Sequence, residues 1–364
     1  MKKRFFAVLL CVIMALSMVA CGDSDADKKV GQPSITKLAD YKDFEKILTG
    51  DYAVTDEKIK DYFSSAVYGA GIGLVEVKDR DTVQAGDIVK TDYTGYLNGE
   101  AFANGSAKDQ WIDVSNNCGI DTSSGKATSS FIDGFTDGLV GAKIGQKTSS
   151  DVTFPANYEN ADLAGKPTTF EFNVTAIYVE LTPDTITDAM VAEKLKEDYE
   201  VTTVADFMKL MKGELAYNLV VNSVIANSTF DIPADYLELR MDEYQALFEE
   251  LYCSTMDIET FLKQYYGMTL ESIRAQWKVA MEDQIKAELV FAAIVKEEGL
   301  KTDKDALAEY VKTVTTSAGT SEGNPFFTKE ANVYKMLGVG NEEAGKAYFL
   351  NQNASKDFVM ENYQ

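Results

Sequence analysis

The hydrophobic period of the chain changes close to residue 181, and this change restricts the fold more than any other feature. In the roughly hundred residues before it, apolar residues alternate with polar ones, as in TTFEFNVTAIYVEL (168–181). Such alternation predicts β-strands with one buried face. After it, segments such as LESIRAQWKVAMEDQIKAELVFAAIVKEEG (270–299) carry apolar residues at helical spacing. The sequence therefore predicts an α+β protein, in which an antiparallel β-sheet domain is followed by an all-α domain.

Turn signals divide the strand-forming part, which we place at 81–181. Asn98-Gly99 separates two alternating runs within GDIVKTDYTGYLNGEAFANG (86–105), and an Asn-Gly pair predicts a tight hairpin. Alternation returns in QWIDVS and in TSSDVTFP further along the chain. Residues 41–80 instead show a short helical pattern that starts at Thr55, so we expect a helical linker there.

The helical part, placed at 182–364, has its own start and stop signals. A helix start typically combines a capping side chain with Pro or an acid in the first turn, and a helix stop is typically Gly. The predicted starts are Thr182-Pro183-Asp184, Thr202 or Thr203, Asp231-Ile232-Pro233, Thr269 and Thr302. The predicted stops are Gly267 and Gly299.

Residues 1–20 have the composition of a bacterial secretory signal, because the basic run KKR precedes the apolar run FFAVLLCVIMALSMVA. The following MVACG resembles a lipobox, in which the cysteine, here Cys21, is lipidated and becomes the mature N-terminus. The apolar run is short and is followed at once by DSDADKK, which argues against a transmembrane anchor. We therefore expect lipidation at Cys21, a polar tether over 21–40 and attachment to the extracytoplasmic face of the cell membrane.

The 364-residue chain contains no histidine. This excludes Ser-His-Asp and Cys-His catalytic arrangements, histidine-ligated zinc and the two-histidine type of prolyl isomerase. The net charge of −23 argues against nucleic acid as a partner, because binding phosphates needs clustered Lys and Arg. Cys118 and Cys253, which remain besides Cys21, define no disulfide framework. We expect neither a metal site nor a cofactor.

The segment FIDGFTDGLVGAKIGQK (131–147) is too rich in glycine for a long helix and too apolar for a solvent-exposed loop. It predicts a short helix over Asp133–Val140, a left-handed stop at Gly141 and then a strand. The spacing of Gly134 and Gly138 imitates a membrane-helix dimerisation motif, but the flanking Asp, Thr and Lys exclude a membrane span. The segment also lacks the glycine spacing of a phosphate loop.

Four motifs occur in the order in which FKBP-type prolyl isomerase domains have them: YTGYLNGEAF, FIDGFTDGLVGAKIGQK, VTFPANY and FEFNVTAIY. The form they resemble most is the one found in trigger factors. The helical part is similar to the trigger factor C-terminal chaperone domain, and VTDEKIKDYFSSAV is similar to the segment that precedes the isomerase domain there. The resemblance covers residues 50–315. The ribosome-binding N-terminal domain of that family has no counterpart here, so we expect no ribosome partner.

The resemblance implies an apolar pocket that holds a proline ring, with Phe135 as its floor and the Ile132 backbone N–H as the donor that holds the substrate carbonyl. The residues implied to act on the substrate are Tyr93, Phe102, Ile132, Phe135, Tyr158 and Phe172. The residues implied at the rim are Trp111, Ile112, Phe131 and Leu163. Trp111 and Ile112 are alternatives, because the sequence leaves the register of their strand open.

Two features differ from the family pattern. Ala103 follows Phe102, where the family usually has a carboxylate that lines the pocket. The connection SNNCGIDTSSGKATSS (115–130) is longer than usual and is expected at the rim, where gating, extension and obstruction of the pocket are all open roles. Both differences favour substrate binding over efficient turnover.

The sequence thus predicts a lipid-anchored, extracytoplasmic folding factor. It would be an FKBP-type peptidyl-prolyl cis-trans isomerase with chaperone activity on unfolded, proline-containing secreted polypeptides. All methionines beyond the signal lie C-terminal to residue 181, and their flexible thioethers suit promiscuous apolar surfaces as well as helix cores. The alternative is a non-catalytic holdase chaperone whose FKBP-like domain only binds peptide.

Overall fold

The computed structural model describes residues 30–320 and 323–363, which form nine strands and eleven α-helices. The strands are β1 (Ser34–Lys37), β2 (Leu74–Glu76), β3 (Ile88–Leu97), β4 (Glu100–Asp113), β5 (Cys118–Ile120), β6 (Ala127–Ser130), β7 (Lys147–Thr153), β8 (Pro167–Glu180) and β9 (Thr229–Asp231). The helices are α1 (Phe44–Ile47), α2 (Asp56–Gly69), α3 (Asp188–Met190), α4 (Lys196–Tyr199), α5 (Val204–Asn227), α6 (Ala234–Tyr252), α7 (Ile258–Tyr266), α8 (Leu270–Glu298), α9 (Lys304–Ala318), α10 (Glu330–Leu337) and α11 (Glu342–Asn362). Shorter helical turns are the 3₁₀ segments Gly50–Tyr52 and Pro325–Thr328 and the π-helical segment Val191–Leu195.

Contacts divide the chain into two units. The first, here called the sheet unit, comprises Lys60–Lys196 and Val201–Met208. The second, the helical unit, comprises the described residues up to Ile59, Glu197–Glu200 and the described residues from Lys209 onward. In the order of the chain, the sheet unit therefore interrupts the helical unit.

Seven antiparallel strands form the sheet of the sheet unit, in the order β2-β8-β3-β4-β5-β6, with β7 paired to β8. Strand β3 pairs along one edge of β8, while β2 and β7 share its other edge. Strands β3 and β4 are joined by Asn98 and Gly99, whose φ angles of +54° and +84° are those of a type I′ turn. The hairpin predicted from the Asn-Gly pair is confirmed.

The core of the sheet unit is formed by the residues that alternate inward along these strands. In β8, for example, Phe170, Phe172 and Val174 are buried, while Glu171 and Asn173 between them are partly exposed. The buried members of the cluster are Val83, Val89, Ile112, Val114, Phe135, Leu139, Ala142, Val152, Phe154, Leu163, Phe170, Phe172, Val174 and Ile177.

The segment that follows β6 differs from the prediction, because Asp133–Val140 forms successive hydrogen-bonded turns in place of a short α-helix. Its backbone N–H groups donate to carbonyls three residues earlier. Gly134 has a φ of +81°, outside the helical region, and Gly138 lies so close to β7 that a Cβ would be 2.1 Å from the Ser149 carbonyl oxygen. Gly141 is left-handed at +85°, as predicted.

The connection at 115–130 forms a hairpin that continues the sheet. Gly119 of β5 lies opposite Ile112 of β4, and β6 pairs with β5. At the tip of the hairpin Gly125 lies against α2, where a Cβ would be 2.5 Å from the ring of Tyr68. The connection therefore adds two strands to one edge of the sheet.

Several caps in the helical region confirm the sequence signals. Thr203 accepts a hydrogen bond from Asp206 N–H at the start of α5, and Thr269 forms a capping box with Ser272 at the start of α8. Gly267 and Gly299 end α7 and α8 in the left-handed conformation, with φ of +65° and +62°. The start at Asp231-Ile232-Pro233 is also confirmed, because α6 begins at the next residue.

The prediction of a helix start at Thr182 is wrong. Residues 182–186 form a turn in which the Ile186 N–H donates to the Thr182 carbonyl, and the helical path begins only at α3, which is capped by Thr187. The predicted start at Thr302 is displaced by one residue, because Asp303 caps α9 by accepting from two backbone N–H groups.

The described part of the predicted tether is structured, contrary to expectation. Strand β1 pairs with β9, with Ser34 opposite Asp231, and the Gly31 N–H donates to the Asp235 carboxylate at 3.0 Å. The predicted linker contains α1 and α2 as expected, but it also contains β2, so the sheet starts at Leu74 and not at 81. Short strands of this kind carry too little alternation to be found in the sequence.

A buried ion pair joins two helices of the helical unit. Arg240 of α6 and Glu288 of α8 lie 3.5 Å apart with side chains that are almost wholly buried. Gln284, one turn earlier on α8, donates to the second oxygen of Glu288 at 2.8 Å. Arg240 also pairs with Glu243 at 3.3 Å, so it is removal of Arg240 that leaves Glu288 as an uncompensated buried charge, at a cost of about 3–5 kcal/mol.

Both described cysteines are free. Cys118 is buried in β5, and Cys253 caps the end of α6. Burial raises the pKa of both thiols, so neither is activated as a thiolate.

The predicted signal peptide and lipidation at Cys21 lie outside the described residues. Within residues 30–320 and 323–363, none of the helices is both long and apolar enough to cross a membrane.

Candidate functional site

Five aromatic side chains of the sheet unit meet at one place and are here called the aromatic cage: Tyr93, Phe102, Phe135, Phe170 and Phe172. Phe135 lies at its centre, with ring centroids 5.2 Å from Tyr93, 4.8 Å from Phe170 and 5.1 Å from Phe172. All three contacts are edge-to-face, the arrangement that the ring quadrupoles favour. Phe135 therefore forms the apolar floor of the cage.

The two central strands position the walls of the cage. Tyr93 of β3 lies directly opposite Phe172 of β8, so the two rings project from the same face of the sheet. Gly95, two residues further along β3, leaves the space into which neighbouring rings project. A Cβ at Gly95 would lie 2.5 Å from Phe102 and 2.7 Å from Phe170.

Phe102 forms the outer wall of the cage and is partly exposed. Its ring lies 5.8 Å from Phe170 and 6.1 Å from Phe154, both in edge-to-face contacts. Gly105 lies beneath it, because a Cβ there would be 2.4 Å from the Phe102 ring. Ala103, the next residue along β4, is exposed and places no carboxylate beside the cage.

Ile132 brings a backbone donor to the edge of the cage. Its side chain is partly buried against the core cluster that contains Phe135. Its carbonyl accepts hydrogen bonds from Asn117 Nδ2 and from the Phe135 N–H. Its own N–H donates to no residue in the described part of the chain, so this donor is available to a ligand.

The hydroxyl of Tyr93 is a second available polar group. It makes no hydrogen bond to the residues that the structure describes. Burial raises the pKa of Tyr93, so the phenol stays protonated and remains a donor at neutral pH.

Tyr158 and Leu163 lie on the segment between β7 and β8. Tyr158 is 40% exposed and its ring centroid is 4.6 Å from Phe154, which itself contacts the outer wall at Phe102. Leu163 is buried in the core cluster, which makes it a support for the site and not an exposed rim residue.

The register of β4 distinguishes Trp111 from Ile112. Ile112 is fully buried in the same cluster as Phe135 and Phe172. Trp111 packs its ring at 4.5 Å from Tyr178. Because neighbouring strand residues point to opposite faces, Trp111 lies on the face of the sheet that is turned away from the cage. Its prediction as a rim residue is wrong.

Phe131 contacts the floor directly. Its ring is stacked on Phe135 with a centroid distance of 4.3 Å and an interplanar angle of 20°. Partly for this reason Phe135 is only 2% exposed. The cage is therefore closed over its floor in this structure.

Sequence reasoning missed three residues of the site. Phe170 and Phe154 contact Phe102, and Phe170 was detectable because it alternates with Phe172 along the same strand. Asn117 of the 115–130 connection was not detectable, because its role depends on hydrogen bonds to residues more than ten positions away.

The arrangement suits binding and twisting of an apolar group and supplies no nucleophile. Among the described residues, no three or more Asp, Glu, Cys or His side chains form a group that could hold a metal ion. Apolar walls of this kind favour a less polar bound form over a more polar one, because they offer it no hydration. One free N–H at the edge gives such a ligand a fixed orientation.

Comparison with known families assigns the strand-rich and the helical parts of the chain to different families. Residues 79–177 match the family described as FKBP-type peptidyl-prolyl cis-trans isomerase. Residues 191–326 match the family described as bacterial trigger factor protein C-terminus. The first range contains every residue of the aromatic cage.

Curated relatives carry both parts together. Trigger factor of Halalkalibacterium halodurans is 29% identical over 289 residues, which are 76% of this chain and 62% of that protein. Trigger factor of Halothermothrix orenii is 30% identical over 62% of this chain and 52% of that protein. The chain thus covers less than two thirds of these relatives.

Trigger factor of Bacillus cytotoxicus matches over a longer range. It is 30% identical over 346 residues, which are 90% of this chain and 72% of that protein. The alignment thus extends through both the strand-rich and the helical parts. The chain belongs to the trigger factor family.

Proposed function

We propose that the protein is an extracytoplasmic, lipid-anchored folding factor that isomerises X-Pro peptide bonds in its sheet unit and holds unfolded polypeptides on its helical unit. The observation that supports the isomerase most directly is the aromatic cage with the free Ile132 N–H at its edge. The family match over the same residues supports the same activity.

The chemistry needs no covalent step. Rotation about a peptide bond faces a barrier of about 18–20 kcal/mol, and X-Pro bonds interconvert in tens to hundreds of seconds. A twisted amide has lost resonance and has a less polar carbonyl, so an apolar cage binds it better than the planar amide. In the proposed complex the proline ring lies on Phe135, and the Ile132 N–H holds the carbonyl oxygen of the substrate.

An isomerisation assay on a prolyl peptide tests this proposal. We expect acceleration by the wild-type protein, and we expect Phe135→Leu to lower kcat/KM about tenfold, which corresponds to about 1.4 kcal/mol of transition-state binding. Trp111→Phe is the matched control, since this ring lies on the other face of the sheet. No acceleration by the wild type overturns the isomerase, and an equal loss in both variants overturns the site.

The missing carboxylate gives a second test. Ala103 is exposed beside Phe102, so an Asp side chain fits there without disturbing the core. If the family carboxylate assists turnover, Ala103→Asp raises kcat. An unchanged kcat shows that the carboxylate does not limit the reaction here.

For the helical unit we propose the chaperone surface on α6 and α7. Tyr252, Tyr265 and Tyr266 are 54%, 60% and 62% exposed, and each ring contacts Phe261. Adjacent exposed rings are unusual on a surface that meets only water. The buried methionines Met211, Met241 and Met281, by contrast, serve the helix core.

Suppression of client aggregation tests the chaperone and the alternative of a pure holdase. We expect the triple variant Tyr252→Ser/Tyr265→Ser/Tyr266→Ser to lose most of the suppression and to keep its isomerase rate. Suppression by a wild-type protein without isomerase activity supports the holdase that only binds peptide. Full suppression by the triple variant contradicts this surface.

The lipid anchor is supported by the sequence alone, in which Cys21 follows an apolar run and a lipobox-like MVACG. Labelling of cells with a fatty-acid analogue tests it, with Cys21→Ser as the control variant. We expect label and membrane association for the wild type and neither for the variant. An unlabelled wild-type protein contradicts the anchor.

A further inference from the structure

The aromatic ring of Phe131 lies on the floor of the cage, which is formed by Phe135. Phe131 is stacked on Phe135 at 4.3 Å and 20°, nearly parallel and in van der Waals contact. The other three rings around Phe135 meet it edge to face, so Phe131 is the neighbour that covers it as a flat ligand would. Phe131 is also the more accessible partner, because it is partly exposed while Phe135 is buried.

The 115–130 connection holds this ring in place. The Phe131 N–H donates to the Asn117 carbonyl at 3.0 Å, and Asn117 Nδ2 donates to the Phe131 carbonyl at 3.2 Å and to the Ile132 carbonyl at 3.0 Å. Asn117 has a φ of +51°, which Asn tolerates better than most residues. The backbone on both sides of the Phe131 side chain is therefore fixed by one residue of the hairpin.

We propose that Phe131 occupies the proline position on Phe135 in the free protein, that Asn117 positions it there, and that a prolyl substrate must displace the Phe131 ring to bind. This inference rests on the proposed isomerase function of the same cage. It gives the 115–130 connection a specific role. The hairpin positions the Phe131 ring, here called the competitor because it occupies the place of the substrate proline on Phe135.

Displacement of the ring is compatible with the surrounding structure. Phe131 lies in the short stretch between β6 and the turns that start at Asp133, outside any helix or strand. Moving its side chain off Phe135 therefore breaks no strand pairing. The apparent affinity for substrate is then reduced by the fraction of molecules in which the floor is free.

Kinetics of Phe131→Val and Phe131→Leu test the proposal. An aromatic pair contributes roughly as much as a tenfold change in affinity, so we expect Phe131→Val to lower KM by up to about tenfold and to change kcat less than about twofold. Phe131→Leu, which keeps most of the side-chain volume, is expected to give a smaller change in the same direction. A raised KM in both variants shows that Phe131 is a wall that contacts substrate, and an unchanged KM shows that it does not compete; each result overturns the proposal.

Binding distinguishes this proposal from the isomerase function. A proline-containing peptide and a matched peptide with Ala in place of Pro are titrated into wild type and Phe131→Val, with NMR signals of the Phe135 ring as the readout. Tighter binding of only the proline peptide by the variant supports the competitor even if no protein turns over substrate. Turnover by the wild type with equal peptide affinity in both proteins leaves the isomerase standing and rejects the competitor.

Asn117→Gly tests the positioning role. Gly accepts the left-handed backbone at this position and keeps the carbonyl that accepts from the Phe131 N–H, but it removes the side-chain amide whose Nδ2 donates to the Phe131 and Ile132 carbonyls. We expect a lower KM, as for Phe131→Val, and we expect the double variant with Phe131→Val to show no further decrease. Additive effects of the two substitutions would show that Asn117 acts on the site by another route.

Discussion

The two units of the protein use aromatic side chains in opposite ways. In the sheet unit, rings from β3, from β8 and from the stretch directly after β6 converge on Phe135 and bury it. In the helical unit, Tyr252, Tyr265 and Tyr266 stand on α6 and α7 with more than half of their surface exposed. The first arrangement has a fixed shape that suits one ring, and the second offers separate contacts to segments of varying sequence. Stability and function should therefore be inseparable in the sheet unit and separable on the helical surface.

The largest expected effect comes from the centre of the cage. Phe135→Ala removes a ring that contacts four others, and the loss should destabilise the sheet unit by about 3–5 kcal/mol. Tyr266→Ala in the helical unit is the matched control and should change stability by less than about 0.5 kcal/mol. Urea unfolding followed by circular dichroism measures both losses of stability. Similar losses for the two variants would contradict the contrast between the aromatic side chains of the two units.

The next effect concerns the turns that support the floor. Gly138→Ala places a Cβ 2.1 Å from the Ser149 carbonyl oxygen, so either β7 or the turns must move. We expect a loss of about 3 kcal/mol, at the upper end of overpacking effects. Gly141→Ala, at a left-handed position with open space around it, is the control and should cost about 1 kcal/mol. Urea unfolding of both variants measures the two losses of stability, and a loss for Gly141→Ala as large as that for Gly138→Ala would contradict the prediction.

Alkaline pH tests the buried tyrosines of the helical unit. Burial raises the pKa of Tyr310 to about 12, above the value of about 10 in the unfolded chain. The folded state therefore binds the phenolic proton more tightly, and this contribution is complete below pH 10 and lost as the pH rises from 10 to 12. At pH 11 the loss should be about 1.4 kcal/mol. A stability profile from pH 8 to 11.5 should be flatter for Tyr310→Phe than for the wild type, whereas the exposed Tyr265→Phe should follow the wild type.

The smallest expected change in stability belongs to the exposed tyrosines. The triple serine variant of Tyr252, Tyr265 and Tyr266 should unfold within about 1 kcal/mol of the wild type, because surface substitutions carry small costs. Its thermal midpoint and its suppression of aggregation are measured on the same sample. A large loss of stability would show that these rings are structural and would remove the contrast between the two units.

The sequence contained enough information to predict most of the cage. Alternation placed Phe172 on the buried face of β8, and the Asn98-Gly99 turn fixed the pairing of β3 with β4. Phe170 had the same signal as Phe172, two residues away on the same strand. The choice between Trp111 and Ile112 was not accessible, because bulges near Tyr93 shift the register between the two strands.

Other features depend on contacts that no local pattern encodes. The predicted helix at 133–140 failed because Gly138 is pressed against the β7 backbone, a tertiary contact. Asn117 and its hold on Phe131 depend on a left-handed backbone and on three hydrogen bonds across the hairpin. Strand β1 was assigned to the tether, because its partner β9 comes about 200 residues later in the sequence, after the sheet unit.

The pairing of β1 with β9 also has a consequence during synthesis of the chain, because the two strands are made at different times. Every residue of the sheet unit has been made once Met208 is added, whereas Ser34 meets its partner only after Asp231. At about 5–20 residues per second, the roughly 200 residues between them delay that pairing by on the order of 10–40 seconds. During this interval β1 is an unpaired strand, whose free backbone groups are a template for pairing with other strands.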